Sequence, residues 1–548
     1  MQTGYTGFVD RSEWRWTTLV SITFILFTFS PFVIITLYNP IQSGNQFMGA
    51  LHDFADAATH IARMKQGEDG QLLTDFLYSS QEQGGALVHP LYALLGQLVR
   101  YSQLSATIMF HVLRIFVSLF MYMTIYHLGA NIWVKVRTRR IFFILASAGA
   151  GFGWFIALFT GTLHTPDLTL PQAFPLYATA ANIHYPMAIA CVALIVSVII
   201  AILRPGVADE PSAENSGGMV FIASLVLAFV YPDALIPLGI AYALNVAINW
   251  YIQKKFTRRE WYWGLWILVP ALPVVTYDLI TVINNDFVSS WINQRGDSLP
   301  SILMLILSFG IPLIIAIPGI IRAVRRFEPD GDRFMLLWLL AMIITAYLPL
   351  QLKQYLLLGV LIPVAYFATR SVEDFWFNFI RRIHRPKVYV AIFPLIVLSH
   401  LLWAFLPIYP LIFGWDDPGP GSLERDYGFA LAWMDQNERI DNESIILAAP
   451  DVSLWIPAWT GSHVVYGHPA ETFNATETEN AVREWYQQTD PAAEICQALI
   501  EEYRIDYVVF GERERNIGAG ACIQNLTQVN PHPATDSLRI YATQYAGR

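Results

Sequence analysis

His52-Asp53-Phe54-Ala55-Asp56-Ala57-Ala58-Thr59-His60-Ile61-Ala62-Arg63, continuing as Met64-Lys65-Gln66-Gly67, follows the first long apolar run of the chain, where the chain is expected to leave the membrane and meet water. The stretch gathers acid, imidazole and guanidinium groups in a chain that is only 14% charged. Read as a helix, it sets His52, Asp56 and His60 at i, i+4 and i+8 on one face, with Asp53 one turn from Asp56 and Arg63 three residues beyond His60. Phe54, Ala58, Ile61 and Ala62 form a less polar side suited to a bilayer surface or to neighbouring helices. Two carboxylates within a turn can hold a divalent cation, or one can act as a base while the other tunes it. The competing reading is an ordinary solvated loop helix.

Around this stretch the composition is that of an integral membrane protein: 548 residues, 55% of them apolar. A net charge of −9 leaves no basic face for phosphate neutralisation, which argues against nucleic acid as a partner. Many Trp and Tyr residues lie at the ends of apolar segments, as interfacial belts require. The first apolar run begins near Trp16 and is long enough to span, which suits an anchor better than a cleavable signal. Apolar runs of spanning length fall at 17–38, 105–128, 141–160, 182–203, 218–232, 234–252, 261–281, 301–320, 333–348, 352–369 and 387–409. The fifth and ninth of these are short. The fold class expected is therefore mainly α: a polytopic transmembrane bundle of about 11 spans carrying a C-terminal soluble α/β domain.

Orientation follows from the basic loops. Lys135, Arg137, Arg139 and Arg140 follow the second run, and Lys254, Lys255, Arg258 and Arg259 the sixth. Arg322, Arg325 and Arg326 follow the eighth, and Arg381, Arg382, Arg385 and Lys387 the tenth. With eleven spans these clusters share one side with Arg11 and Arg15, and that side is expected to be cytoplasmic. The first loop (39–104), the loop 161–181, the Tyr231-Pro232-Asp233 break, the segment 282–300 and the tail then lie outside. Residues 1–409 are read as the membrane domain and 410–548 as an extracytoplasmic one, joined by the turn-rich Trp415-Asp416-Asp417-Pro418-Gly419-Pro420-Gly421.

Past that linker the pattern becomes soluble α/β. Helices are expected at 429–436, 479–487 and 493–503, and strands at 444–449, 464–466, 506–510 and 537–542. Cys496 and Cys522 are the only tail cysteines and would bridge if the tail faces an oxidising compartment. The aromatic and polar residues Trp455, Trp459, Tyr466, His468, Asp451 and Glu471 suit either sugar stacking or a small-domain core, and the core reading is preferred. No phosphate-binding glycine motif, zinc spacing or nucleophile elbow is present.

Asp56, His60 and Gly67 resemble the acidic motif that polytopic glycosyltransferases of the GT-C superfamily carry in their first outer loop. The order of elements is similar too: one span, a long outer loop with a surface helix, a bundle, then an outer α/β domain. The resemblance implies transfer of a hexose or pentose from a polyprenyl-phosphate sugar to a glycan, lipid or protein acceptor on the outer face of the cytoplasmic membrane. It implies Asp56 as base or as the anchor of a divalent cation (Mg or Mn), with Asp53 as its helper. Its second acidic group would be Asp167, otherwise a turn residue, or Asp233, costly to leave unpaired between apolar runs. Donor phosphate would meet His184, otherwise an interfacial histidine, or Arg295, otherwise paired with Asp297. Lys353, beside Gln354, stands where the resembled enzymes often carry Arg; otherwise it snorkels to headgroups. Two other readings use the same residues: a transporter or lipid flippase, and a non-catalytic binding protein of the same architecture.

Overall fold

The computed structural model describes residues 7–42, 44–81, 83–203, 213–254, 258–295, 299–328, 331–349, 353–409, 419, 421–529 and 537–547. The linker turn, apart from Gly419 and Gly421, lies outside the described residues, as do Lys255, Asp297, Gln351 and Leu352.

Among the described residues nine helices are long and apolar enough to cross a membrane: Arg11–Leu37, Ala106–Ile132, Val136–Thr160, His184–Ile202, Pro232–Ile252, Arg258–Asn284, Ile302–Arg326, Lys353–Phe379 and Arg382–Ile408. The two short runs of the sequence are helices as well, Ser216–Val230 and Gly331–Ala346, below that length. Large apolar side chains such as Leu26, Leu268, Leu272, Ile283 and Val390 stand exposed on the spans, as lipid-facing positions do. The chain is a multi-pass membrane protein.

Compactness does not follow chain order. One unit comprises 1–31, 112–278 and 296–406; the other comprises 32–111, 279–295 and 407–548. In the first unit Gly310, at φ 42°, breaks the helical path of Ile302–Arg326 two residues before Pro312. A Cβ at Gly310 would come within 2.6 Å of Gly151 Cα, so the break and the backbone approach both require glycine. The same unit buries some of its charges: Arg139 meets Glu13 at 3.0 Å, and Glu13 also accepts from the Tyr126 hydroxyl at 2.6 Å. Arg333 is held by Asn245 and Asn249. Buried cations persist only with such partners.

The second unit is built on two sheets. β1 (Asn45–Phe47) and β2 (Ser422–Glu424) pair antiparallel, Gln46 opposite Leu423. The larger sheet comprises β3 (Ile445–Leu447), β4 (His463–Val464), β5 (Tyr507–Phe510), β6 (Thr527–Gln528) and β7 (Arg539–Ala542), in the order β4-β3-β5-β7-β6. β4-β3-β5 is parallel, and β7 and β6 are antiparallel. Helices Arg425–Gln436, Ala475–Gln487 and Glu494–Tyr503 complete the α/β domain. Its core of Val482, Trp485, Tyr486, Leu499 and Ile500 packs on the strand residues Leu447 and Val508. Cys496 and Cys522 form a disulfide with a Cα–Cα distance of 5.1 Å.

Two features of this unit were not legible in the pattern. β1 comes from the first loop, so that loop shares a sheet with the tail's first strand. The exposed edge of β4 is also covered from the loop: Val464 N donates to Leu77 O at 2.9 Å, and the His463 ring meets Ser79 O at 2.8 Å. An unpaired edge would otherwise invite intermolecular pairing.

Candidate functional site

The decisive stretch forms the helix Phe54–Glu68 in the second unit. His52 precedes it, so the face expected from His52, Asp56 and His60 contains only the last two. Asp53 stands at the N-cap with φ 53°, a left-handed conformation that Asp adopts more readily than most residues. The next helix, Pro90–Ser102, starts in the same way at His89, φ 47°.

The two helices cross in close contact. A Cβ on Gly67 would lie 2.2 Å from Ala93 O, and one on Gly96 2.1 Å from Met64 O. Gly67 therefore has a physical role of its own: it lets the backbones touch. From Ala57 to Met64 every residue of the helix is buried. Asp56 differs, with its side chain 41% exposed. A carboxylate held on a rigid, buried helix yet open to solvent is suited to a reacting partner.

His60, by contrast, is buried and consumed by packing. Its ring stacks on Tyr92 at 4.0 Å and 5° and meets His89 edge-on at 5.2 Å. His89 in turn meets Trp291 at 5.5 Å, over which Arg295 lies at 4.1 Å. The second unit thus gathers Asp53, Asp56, His60 and Arg295, with Arg295 seated on an aromatic face.

The tail supplies what the residue pattern did not show. His468 Nε2 lies 3.2 Å from Asp56 Oδ1, and Glu471 meets Arg63 at 2.9 Å with both side chains buried. Arg63 also reaches the Thr59 hydroxyl at 3.2 Å and covers the Phe76 ring at 5.6 Å. Further along the helix, Lys65 pairs with Asp435 at 3.3 Å. Burial works against the Lys65 charge, but Asp435 and Glu68 outweigh it and hold its pKa above the ordinary lysine value. The His468 and Glu471 side chains are both buried, as the expected core residues would be, yet both pair with the helix Phe54–Glu68; in the sequence only the His468-Pro469 turn after a strand marks the place. Trp455, 2% exposed, does belong to the core. A polar cleft of about 560 Å³ follows directly in the chain, lined by Asn474 and Glu477 with Ser289, Asn293 and Gln294.

The first unit holds the other candidates. Asp167 is fully buried, and its Oδ2 accepts from the Ser399 hydroxyl at 2.6 Å, Gly153 N at 3.0 Å and Gly151 N at 3.2 Å. Burial raises its pKa, and these donors, Ser399 first, pull it partly back. Its carboxylate ties together the Gly151–Gly153 turn and the helix Arg385–Phe405. His184, also buried, stacks on Tyr231 at 6.0 Å and 18°, and Tyr231 approaches Tyr355 at 6.4 Å. The turn Pro232–Ala234, which carries Asp233, packs on the turn Lys353–Leu357. So the first unit brings His184, Asp233, Lys353 and Gln354 into one neighbourhood. Lys353 opens its turn at φ 27°, a conformation lysine rarely adopts and one that concentrates at functional sites. Asp278, within electrostatic reach of Asp233, was overlooked; a lone acid inside the apolar run 261–281 was the signal.

Among the described residues no group of three or more His, Cys, Asp or Glu side chains is placed to hold a metal ion.

No family model and no curated protein matches the sequence. Solved structures do resemble it. An oligosaccharyltransferase from Archaeoglobus fulgidus, tethered to an acceptor peptide containing the NVT sequon, aligns over 97% of this chain and 74% of its own, with 12% identity and a TM-score of 0.52. The archaeal oligosaccharyltransferase AglB from Archaeoglobus fulgidus, in complex with an inhibitory peptide and a dolichol-phosphate, aligns over 98% and 75%, again with 12% identity and a TM-score of 0.50. At such identity the likeness is one of fold, and it runs through spans, outer loop and tail alike. The chain shares the overall polytopic fold of these archaeal oligosaccharyltransferase structures.

Proposed function

We propose that this protein is a membrane glycosyltransferase that moves a sugar from a polyprenyl-phosphate donor to an acceptor on the outer face of the cytoplasmic membrane. One observation carries the reading: in a fold shared with oligosaccharyltransferases, Asp56 is a partly exposed carboxylate at the start of a helix that is buried from Ala57 to Met64. In the reaction, Asp56 takes the proton of the acceptor as its oxygen or nitrogen bonds to the sugar's anomeric carbon. The bond from that carbon to the phosphate oxygen breaks, and the lipid phosphate leaves with the electron pair. Asp53 supports the carboxylate from the N-cap. In the second unit Arg295 is assigned to the donor phosphate; the first unit's own cluster of His184, Asp233, Lys353 and Gln354 is assigned separately to binding a phosphate or sugar. A divalent cation, if one is used, would be held by Asp56, and Asp167, whose carboxylate is taken up by Ser399, Gly151 and Gly153, is assigned to the scaffold. The Cys496–Cys522 disulfide supports an oxidising, extracytoplasmic location for the tail, as do the basic clusters for the opposite side.

The test is a transfer assay on the full chain in lipid vesicles with a panel of polyprenyl-phosphate hexoses and pentoses, read as released polyprenyl phosphate, with and without chelator. Release that disappears in Asp56→Asn supports the reading. Turnover unchanged in Asp56→Asn overturns it, and loss of turnover on chelation moves Asp56 from base to metal anchor.

A further inference from the structure

Asp56 and Arg63 are seven residues apart, two turns of one helix, and therefore on the same face. A single short turn of the tail, His468-Pro469-Ala470-Glu471, touches both: His468 at Asp56 and Glu471 at Arg63. The turn is itself tied down. Thr472 N and Glu471 N donate to His468 O at 2.9 and 3.2 Å, and the Thr472 hydroxyl accepts from His468 N at 3.3 Å. The His468 side chain is 5% exposed, beside Tyr78 with ring centroids 6.0 Å apart.

The imidazole has a defined polarity. Ala470 N donates to His468 Nδ1 at 3.1 Å. With Nδ1 accepting, the ring proton sits on Nε2, the atom that faces the Asp56 carboxylate. A histidine whose far nitrogen is engaged by the backbone is fixed in tautomer and in ring orientation, which is how positioning histidines hold a reacting group.

We propose that His468 is a positioning residue for Asp56: the tail domain completes the site by donating an Nε2–H hydrogen bond that fixes the rotamer of the carboxylate. The Arg63–Glu471 pair holds the donor in register. This rests on the reading of Asp56 as the reacting base, and it makes the tail part of the transferase site and not an appended module. The bond orients one oxygen while the side chain stays partly exposed for the acceptor.

The test uses the full chain in vesicles, with the panel member that wild type turns over. His468→Leu is expected to lower kcat per folded molecule roughly 10- to 100-fold, with donor KM unchanged. His468→Gln, whose amide nitrogen falls at the Nε2 position, is expected to recover most of that loss, whereas His468→Asn, whose nitrogen falls at Nδ1, is not. Equal rates for Gln and Asn overturn the proposal, and this comparison decides even if the Leu variant fails to fold. If Asp56→Asn is inactive while His468→Leu stays within about twofold of wild type, the positioning role is wrong and the enzyme reading stands. If Asp56→Asn is active, the enzyme reading itself falls, and the positioning role with it.

Discussion

Asp56 and Asp167 are both acidic residues between long apolar helices, and the protein uses them in opposite ways. Asp167 spends its carboxylate on two backbone N–H groups and a serine hydroxyl in full burial. Asp56 meets the His468 ring at 3.2 Å and keeps its side chain 41% exposed. The acid that satisfies orphan donors is a structural cap whose loss is felt in folding. The acid on a buried helix that still reaches solvent is poised for a partner, and its loss is felt in rate.

That contrast breaks most visibly at Asp56. Asp56→Asn is expected to cut transfer about 10²- to 10⁴-fold with the thermal midpoint unchanged; a folding defect of the same size would make the two acids alike. Next comes the clamp that sets Asp56 in place. Arg63→Met leaves Glu471 buried without its cation, at a cost of about 3–5 kcal/mol, measurable as a lower denaturant midpoint of the second unit. Asp167→Asn is the mirror image of Asp56→Asn: a stability loss of about 1–3 kcal/mol from mispaired buried donors, with the rate per folded molecule retained. Gly67→Ala, which pushes a methyl against Ala93 O, is expected to cost about 1–3 kcal/mol and to lower the rate only as far as it tilts the helix under Asp56.

The smallest effect is a slope with pH. Glu514 is a second buried carboxylate, held by the Tyr427 hydroxyl at 2.6 Å and by Ala449 and Gly511 N–H at 2.8 Å each. Burial raises its pKa above the ordinary glutamate value despite these donors. A raised folded-state pKa stabilises below the unfolded value of about 4.3, and that contribution is lost as pH rises through the folded value. Glu514→Gln should flatten this part of the thermal-midpoint profile; an unchanged slope would show that burial does not raise the Glu514 pKa in the folded protein.

Much of this was legible in the residues. Apolar runs gave each span because a helix in lipid has no other way to satisfy its backbone. The tail's strands and helices appeared in the expected order because period-2 and period-3.6 patterns alternate across it. Asp56 stood out as an acid beside an imidazole in a chain poor in charge. What stayed hidden was long-range. His60 looked like Asp56's neighbour in function, but spacing on a helix cannot reveal that Tyr92 would stack on it. His468 and Glu471 sit about four hundred residues downstream, where nothing local marks them as partners of Asp56 and Arg63. β1 and β2 are three residues each, too short to register as a pattern, and they pair across more than 370 positions of chain.

The pairing of loop and tail also sets a clock for biogenesis. His463 and Ser79, which bond in the folded chain, are 384 positions apart. At ordinary elongation rates the ribosome needs about 20 to 80 s to cover that interval. Through that time Arg63 has no glutamate and the loop has no sheet to complete, although the spans between are already being inserted. The nascent loop must be held unfolded but unaggregated until the last quarter of the protein emerges, so a chain that stops short of Glu471 is committed to quality control however well its membrane helices have inserted.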